Sequence, residues 1–412
     1  MTKELHPILP KPILVRTSAQ LREMMARLRS ELAHDPLLAV DTEANSMYAY
    51  RERVCLIQFS TRLTDYIVDP ISGIDVTPIG ELFADPAIEK VFHAAEYDLI
   101  CMKREFHFTF TNLFDTMIAA RITGMKNYGL GALLETLIQV EVDKSHQRDD
   151  WGHRPLPKDS LIYAQRDTHY LPALRDYFAE RLTELNYWED ARETFTELAE
   201  VTGAVRAFDP EGYWRLAIPN HLNRRQTAIL RELYLLREEI AKSRDVPPFK
   251  VMQDKSMVAL AQAAPESLGE MERANGVPFS ITRRYGLEML EAIERGKAAR
   301  VPVPPRPEPP TDPVIVECYT ALREWRKNAG IGARRRIRCD HFARNIVDAG
   351  RAQAKNTGRN AFNSRFRRVA FRAVWEGNSC CNQPLSRKND LAHHLMRFRK
   401  QKTDVLNTRL LF

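Results

Sequence analysis

Short apolar runs bounded by polar residues set the pattern of the first half of the chain. Leu37-Leu38-Ala39-Val40 ends on Asp41 and has the length and composition of a buried strand. Val54-Cys55-Leu56-Ile57-Gln58-Phe59 and Asp65-Tyr66-Ile67-Val68-Asp69 follow at hairpin-like spacing, and Lys90-Val91-Phe92-His93 reads as a further strand. Between and after these runs the spacing predicts helices over Ala19–Leu32, Glu96–Phe106, Asp115–Ile122 and Ser160–Leu185. An antiparallel meander followed by strand–helix alternation predicts an α/β domain, a mixed sheet flanked by helices.

From about residue 195 the pattern becomes helical alone. Ile229, Leu230, Leu233, Leu236 and Ile240 recur on one helical face, and Asp245-Val246-Pro247-Pro248 breaks that helix. Shorter helices are expected over Ser256–Ala263, Pro265–Arg273 and Arg283–Arg295, giving an all-α bundle the size of a small domain. Val301 to Pro313 is too rich in proline for a helix and reads as a semi-rigid extended linker. The expected organisation is therefore 1–195, 210–300, a linker at 301–313, and a tail at 314–412.

Composition refines this picture. A chain of 412 residues, 44% hydrophobic, is globular and long enough for two or three domains. No apolar run approaches the roughly 18 residues of a membrane span, and the N-terminus is too polar for a secretory signal, so a cytoplasmic, membrane-free protein is expected. Six Cys without a C-x-x-C spacing imply neither a disulfide framework nor zinc. The net charge of +7 hints at an anionic partner. Its location weakens the hint: residues 314–412 hold 22 Lys+Arg against 7 Asp+Glu, and the other 313 residues hold 39 against 47. Function must be argued from sites.

Asp41 and Glu43 stand two residues apart, so a strand presents both on one face. Clustered carboxylates repel, and a pKa rises unless a cation lies between them; hard ions such as Mg²⁺ favour such oxygen ligands. Alone, the pair reads as the acidic end of a surface strand. Asp98 lies in the first turn of a helix that follows a strand ending at His93, where acids commonly serve as dipole partners or caps. Tyr163 and Asp167, at i and i+4, share a helix face and alone read as a solvated pair.

The order of these three motifs resembles the DEDD superfamily of 3′→5′ exonucleases, and Tyr163 four residues before Asp167 is similar to its tyrosine subclass. The stretch Asp143 to Leu156, D-K-S-H-Q-R-D-D-W-G-H-R-P-L, resembles the K-x-x-Q-x-x-D-W-x-x-R-P-L signature of the ribonuclease D family. The likeness covers about residues 15–190. It implies a ribonuclease H-like mixed sheet and two divalent ions, Mg²⁺ or Mn²⁺. By that resemblance Asp41, Glu43 and Asp167 hold the first ion, Asp41 also touches the second, and Asp98 holds the second. Tyr163 would orient the attacking water, since a phenol with pKa near 10 is a poor base at neutral pH. The implied products are nucleoside 5′-monophosphates. The implied partners are RNA, above all tRNA precursors and other small structured RNAs, with no obligate protein partner.

Lys144, Gln147, Trp151 and Arg154 are candidate substrate contacts, because Lys and Arg grip phosphates and an indole stacks on bases. Trp151 suits a core position equally well. Asp115 reads as a helix cap, and His93 as a packed strand-end histidine.

Leu230 to Glu238, Arg244 to Phe249 and Arg283 to Gly286 resemble the HRDC module, which implies help in binding structured nucleic acid through Lys242, Arg244, Lys250, Arg283, Arg284 or Lys297. Cys318 to Arg326 echoes the first helix of that module, and the echo stops near Lys327. With suitable codons, 333–345 rewritten one base over continues the HRDC-like text. The tail is therefore expected to be the remnant of a second HRDC-like domain, frameshifted, or a basic RNA-binding tail. A DNA-directed exonuclease and a catalytically silent RNA-binding protein are the competing functions.

Overall fold

The computed structural model describes residues 9–141, 143–203 and 207–305. The expectations for 314–412, and for the linker beyond 305, lie outside the described residues.

Six strands form one sheet: β1 (Ile13–Val15), β2 (Leu37–Ala44), β3 (Val54–Ser60), β4 (Asp65–Val68), β5 (Glu89–Phe92) and β6 (Leu113–Asp115). Their spatial order is β1-β4-β3-β2-β5-β6. β2, β3 and β4 are the expected antiparallel meander, and β5, β6 and β1 add in parallel to their neighbours. β2 lies inside the sheet, with β5 paired to its first residues, Leu37–Ala39, and β3 paired along its acidic end.

Helices follow in the order α1 (Ser18–Leu32), α2 (Ile79–Ala84), α3 (Glu96–Phe106), α4 (Thr116–Ile122), α5 (Leu130–Leu133), α6 (Lys158–His169), α7 (Leu171–Glu184) and α8 (Trp188–Ala199). Both sheet faces are covered. Every residue of β3 is buried, which is why its sequence is a continuous apolar run rather than an alternation. One core joins Met24, Leu28, Leu38, Val40, Phe59, Phe83 and Phe92. A smaller one, beneath α6, joins Cys55, Leu56, Ile67, Trp151, Leu156 and Ala164.

Some elements differ from expectation for local reasons. The single helix expected over Ser160–Leu185 divides at Tyr170, because Pro172 suits only the first turn of a new helix. Strands β1 and β6 are three residues each, too short for a periodicity signal. Asp115 is the last residue of β6, and its carboxylate caps α4 by accepting from Ile118 N at 2.9 Å.

The helical region contains α9 (Trp214–Ala217), α10 (Arg224–Ser243), α11 (Pro248–Val251), α12 (Asp254–Ala263), α13 (Leu268–Arg273) and α14 (Phe279–Ala298). Asn223 and Gln226 form a capping box that starts α10. Leu230, Leu233, Met257, Leu260, Met289 and Ile293 form a core of its own. No helix among the described residues is long and apolar enough to cross a membrane.

Helices α10 and α14 touch backbone to backbone at Gly296. A Cβ there would lie 2.5 Å from Ile229 Cα and 2.9 Å from Ile229 N. Gly296→Ala is expected to force the helices apart and cost about 1–3 kcal/mol, read as a lower denaturant midpoint. An unchanged midpoint would show that this contact is slack.

Candidate active site

The acids converge because three elements are fixed independently. In β2, Asp41 pairs with Gln58 and Glu43 with Leu56 on β3. These four residues share one face, the face that carries the smaller core and lies under α6. Helix α6 is locked down on both sides of Asp167. Gln165 Nε2 donates to Asp65 Oδ2 at 2.6 Å, His169 Nδ1 lies 2.9 Å from the same oxygen, and Thr168 shares a 2.7 Å hydroxyl contact with Ser60. One carboxylate oxygen each from Asp41, Glu43 and Asp167 thereby comes within 4.8 Å of the others.

Asp98 is outside that three-residue group. Thr42 points to the opposite face of β2, and its hydroxyl donates to Asp98 Oδ1. The turn that launches α3 is clamped by Asp115, whose carboxylate accepts from Ala95 N at 2.8 Å. Ala94 in this turn has φ +64°, the left-handed conformation that reverses the chain between β5 and α3. His93 Nδ1 lies 2.9 Å from the Thr116 hydroxyl, and burial lowers the imidazole pKa to about 4, so the ring stays neutral.

The electrostatics are those of a crowded acidic site. Burial raises Asp41 well above the usual carboxylate range, and Asp98, Asp167 and Glu43 raise it further. Burial likewise raises Glu43, with added repulsion from Asp167, Asp98 and Asp149. Asp98 and Asp167 are pushed up to about 7, burial being the largest cause for each. The pKa of Tyr163 is raised by burial and by the charges of Asp167, Glu43 and Asp41, so the phenol keeps its proton.

This arrangement fits a hard divalent cation on two counts. The donors are carboxylate oxygens, the preferred ligands of Mg²⁺. Gln58, fully buried and directly across from Asp41, has no hydrogen-bond partner for either amide atom. Unpartnered buried amides are costly, and a polar occupant of the site would satisfy this one.

The candidate substrate contacts divide into two pairs. Lys144 and Gln147 are exposed, Lys144 preceding and Gln147 within a short 3₁₀ turn, Ser145–Arg148. Trp151 and Arg154 require revision. The Trp151 ring is buried, 6.1 Å from the Tyr163 ring, so it is a core residue behind the site rather than a stacking platform. Arg154 grips Asp69 with two 2.8 Å bonds and donates to the carbonyls of Cys55, Trp151 and His153. A guanidinium so engaged is a staple across the chain, not a free phosphate clamp. Sequence reading did not single out Gln58, Thr42 or Asp149. Gln58 was hidden inside an apolar run. Asp149, which accepts from Ser160 Oγ at 2.6 Å and pairs with His146 at 2.8 Å, sits at an unspecified position of the signature.

Comparisons with known proteins agree with this geometry. Residues 12–183 match the 3′-5′ exonuclease family model, and residues 226–293 match the HRDC domain model. The chain is 31% identical to ribonuclease D of Gluconacetobacter diazotrophicus over 70% of this chain and 73% of that one. The chain belongs to the ribonuclease D family. A second relative, ribonuclease D of Acidiphilium cryptum, is also 31% identical, over 74% of this chain and 77% of that one. The catalytic core of RRP6 from Trypanosoma brucei superposes with a TM-score of 0.62 at 27% identity, covering 71% of this chain and 82% of that one. The activity class is therefore that of a 3′→5′ exoribonuclease, a phosphodiester hydrolase, and the cofactor class is a divalent metal.

The raised pKa values carry a stability consequence. A carboxyl whose folded pKa lies above its unfolded value stabilises the fold at low pH, and that contribution is lost as pH rises through the folded pKa. For Asp98 and Asp167 the loss runs from the ordinary carboxylate range up to about 7. The metal-free protein should therefore unfold at a lower temperature at pH about 8 than at about 6. Mg²⁺ should raise the midpoint more at the higher pH, and Asp167→Asn should raise the metal-free midpoint there. Equal metal-free midpoints at the two pH values would contradict this picture.

Proposed function

We propose that the chain removes nucleoside 5′-monophosphates from the 3′ ends of tRNA precursors and other small structured RNAs, using two divalent ions. The observation that carries this reading is the convergence of Asp41, Glu43 and Asp167, with Asp98 entering from the other face of β2. Asp41, Glu43 and Asp167 would hold one ion, and Asp98 with Asp41 the other. When bound, such ions lower the pKa of water and offset charge at the scissile phosphate.

The remaining chemistry belongs to the chain's own side chains. Tyr163, protonated and one helical turn before Asp167, orients the attacking water rather than taking its proton. Trp151 packs behind the phenol and fixes its ring. Lys144, exposed just before the Ser145–Arg148 turn, is a cation that would meet a substrate phosphate. In the helical region, Arg283 and Lys242 remain exposed for RNA, whereas Lys297 is paired with Glu266 and Glu294. We read 1–195 as the exonuclease domain and 210–300 as the HRDC domain, which is supported by their separate cores. A cytoplasmic enzyme without an obligate protein partner completes this reading.

The test is a degradation assay on 3′-extended tRNA, single-stranded RNA and single-stranded DNA, with and without Mg²⁺ or Mn²⁺. Metal-dependent shortening of RNA from the 3′ end is expected. Asp41→Ala and Asp167→Ala should abolish it while leaving RNA binding intact, and Tyr163→Phe should lower kcat about 10²-fold. Unchanged turnover in either Asp variant would refute the metal assignment.

A further inference from the structure

The segment from Asn45 to Arg53 leaves the active strand two residues after Glu43, and it is tied down at its base and from Tyr48 onward. Its base is closed on itself: Tyr48 N and Ala49 N donate to Asn45 O, and Arg53 N donates to Asn45 Oδ1 at 2.8 Å. One flank binds α3, the helix that carries Asp98. Glu52 pairs with Arg104 at 2.8 Å, and Arg53 pairs with Glu105 at 3.6 Å.

The other contacts of the loop come from the helical bundle. Tyr50 packs against the bundle core, and its hydroxyl donates to Glu238 on α10. Arg51 N donates to Asp245 Oδ1 at 3.2 Å, just beyond the end of α10. Lys250 of α11 places Nζ 3.9 Å from the centroid of the Tyr48 ring. The Tyr48 hydroxyl in turn donates to the Arg148 carbonyl at 2.6 Å, and so holds the turn that contains Gln147 and follows Lys144. This loop thus joins the bundle to the strand of Glu43, the helix of Asp98 and the substrate-side turn.

We propose that the helical bundle is a positioning element for the hydrolytic step itself: through Tyr48 and Tyr50 it fixes the 45–53 loop, and with it Glu43, Asp98 and the 144–148 turn, independently of any RNA the bundle binds. This rests on the reading of Asp41, Glu43, Asp98 and Asp167 as the hydrolytic centre. Catalytic groups displaced by a fraction of an ångström lose rate rather than affinity, so the effect belongs in kcat. Tyr48, Tyr50 and Lys250 are positioning residues, since none is placed to touch the scissile bond.

The experiment uses the full chain and the 4-nitrophenyl ester of uridine 5′-monophosphate, a chromogenic substrate with no RNA beyond one nucleotide. The double variant Tyr50→Phe with Lys250→Ala should lower kcat on this ester about tenfold with KM nearly unchanged. Lys250→Arg in place of Lys250→Ala, which keeps a cation over the ring, should restore most of the rate. Tyr48→Phe, which frees the Arg148 carbonyl, should lower kcat in the same way. Thermal midpoints close to the parent's establish that each variant is folded. An unchanged kcat on the ester, with KM raised only for structured RNA, would overturn the proposal and leave the bundle as an RNA-binding module alone. Asp41→Ala serves as the control. Loss of ester hydrolysis in that variant supports the hydrolytic centre, and retained hydrolysis would overturn that reading and the brace with it.

Discussion

Repulsion among clustered, half-buried carboxylates is the constraint around which this protein is built. Asp41, Glu43, Asp98 and Asp167 are held close together where burial raises every one of their pKa values, with added repulsion within the group at Asp41, Glu43 and Asp167 and from Asp115 at Asp98. Left to themselves the groups would separate or stay protonated. The surrounding structure prevents separation. Strand β2 is hydrogen-bonded on both sides, α6 is bonded to the sheet on both sides of Asp167, and the turn into α3 is clamped by Asp115. What the fold maintains is a standing demand for positive charge.

That demand changes the meaning of the chain's overall charge. The excess of basic residues lies in 314–412, and the part that contains the acids is net negative. An acidic protein surface repels RNA, so the attraction at the reaction centre has to come from ions bound between the carboxylates. The same logic explains the ribonuclease D signature in structural terms. Trp151 and Arg154 face inward, one behind Tyr163 and one bound to Asp69, while Lys144 and Gln147 face solvent.

Much of this was legible in the residues. Strands β2 to β5 announced themselves as apolar runs, because a sheet covered on both faces admits few polar side chains. The acidic motifs were legible because catalysis by bound cations needs several oxygen ligands from separated segments, and that order is specific. Asp115 read correctly as a cap from its place before a helix. Strands β1 and β6 were not legible, since three residues define no period. Gln58 was not legible either: one polar residue in an apolar strand acquires significance only when its cross-strand neighbour is known to be Asp41.

The amino-acid sequence by itself determined most of the elements, the acidic residues and the family, because these depend on local periodicity and on residue types at fixed spacing. Tertiary structure decided which face each acid occupies, that Asp98 comes from the side of Thr42, that Trp151 is internal and that Arg154 is bound to Asp69. It also decided that the loop after Glu43 is held by the bundle. These outcomes join residues tens to about two hundred positions apart. Pairing register, burial and ion-pair choice at such distances follow from how elements pack, and no window of sequence contains them.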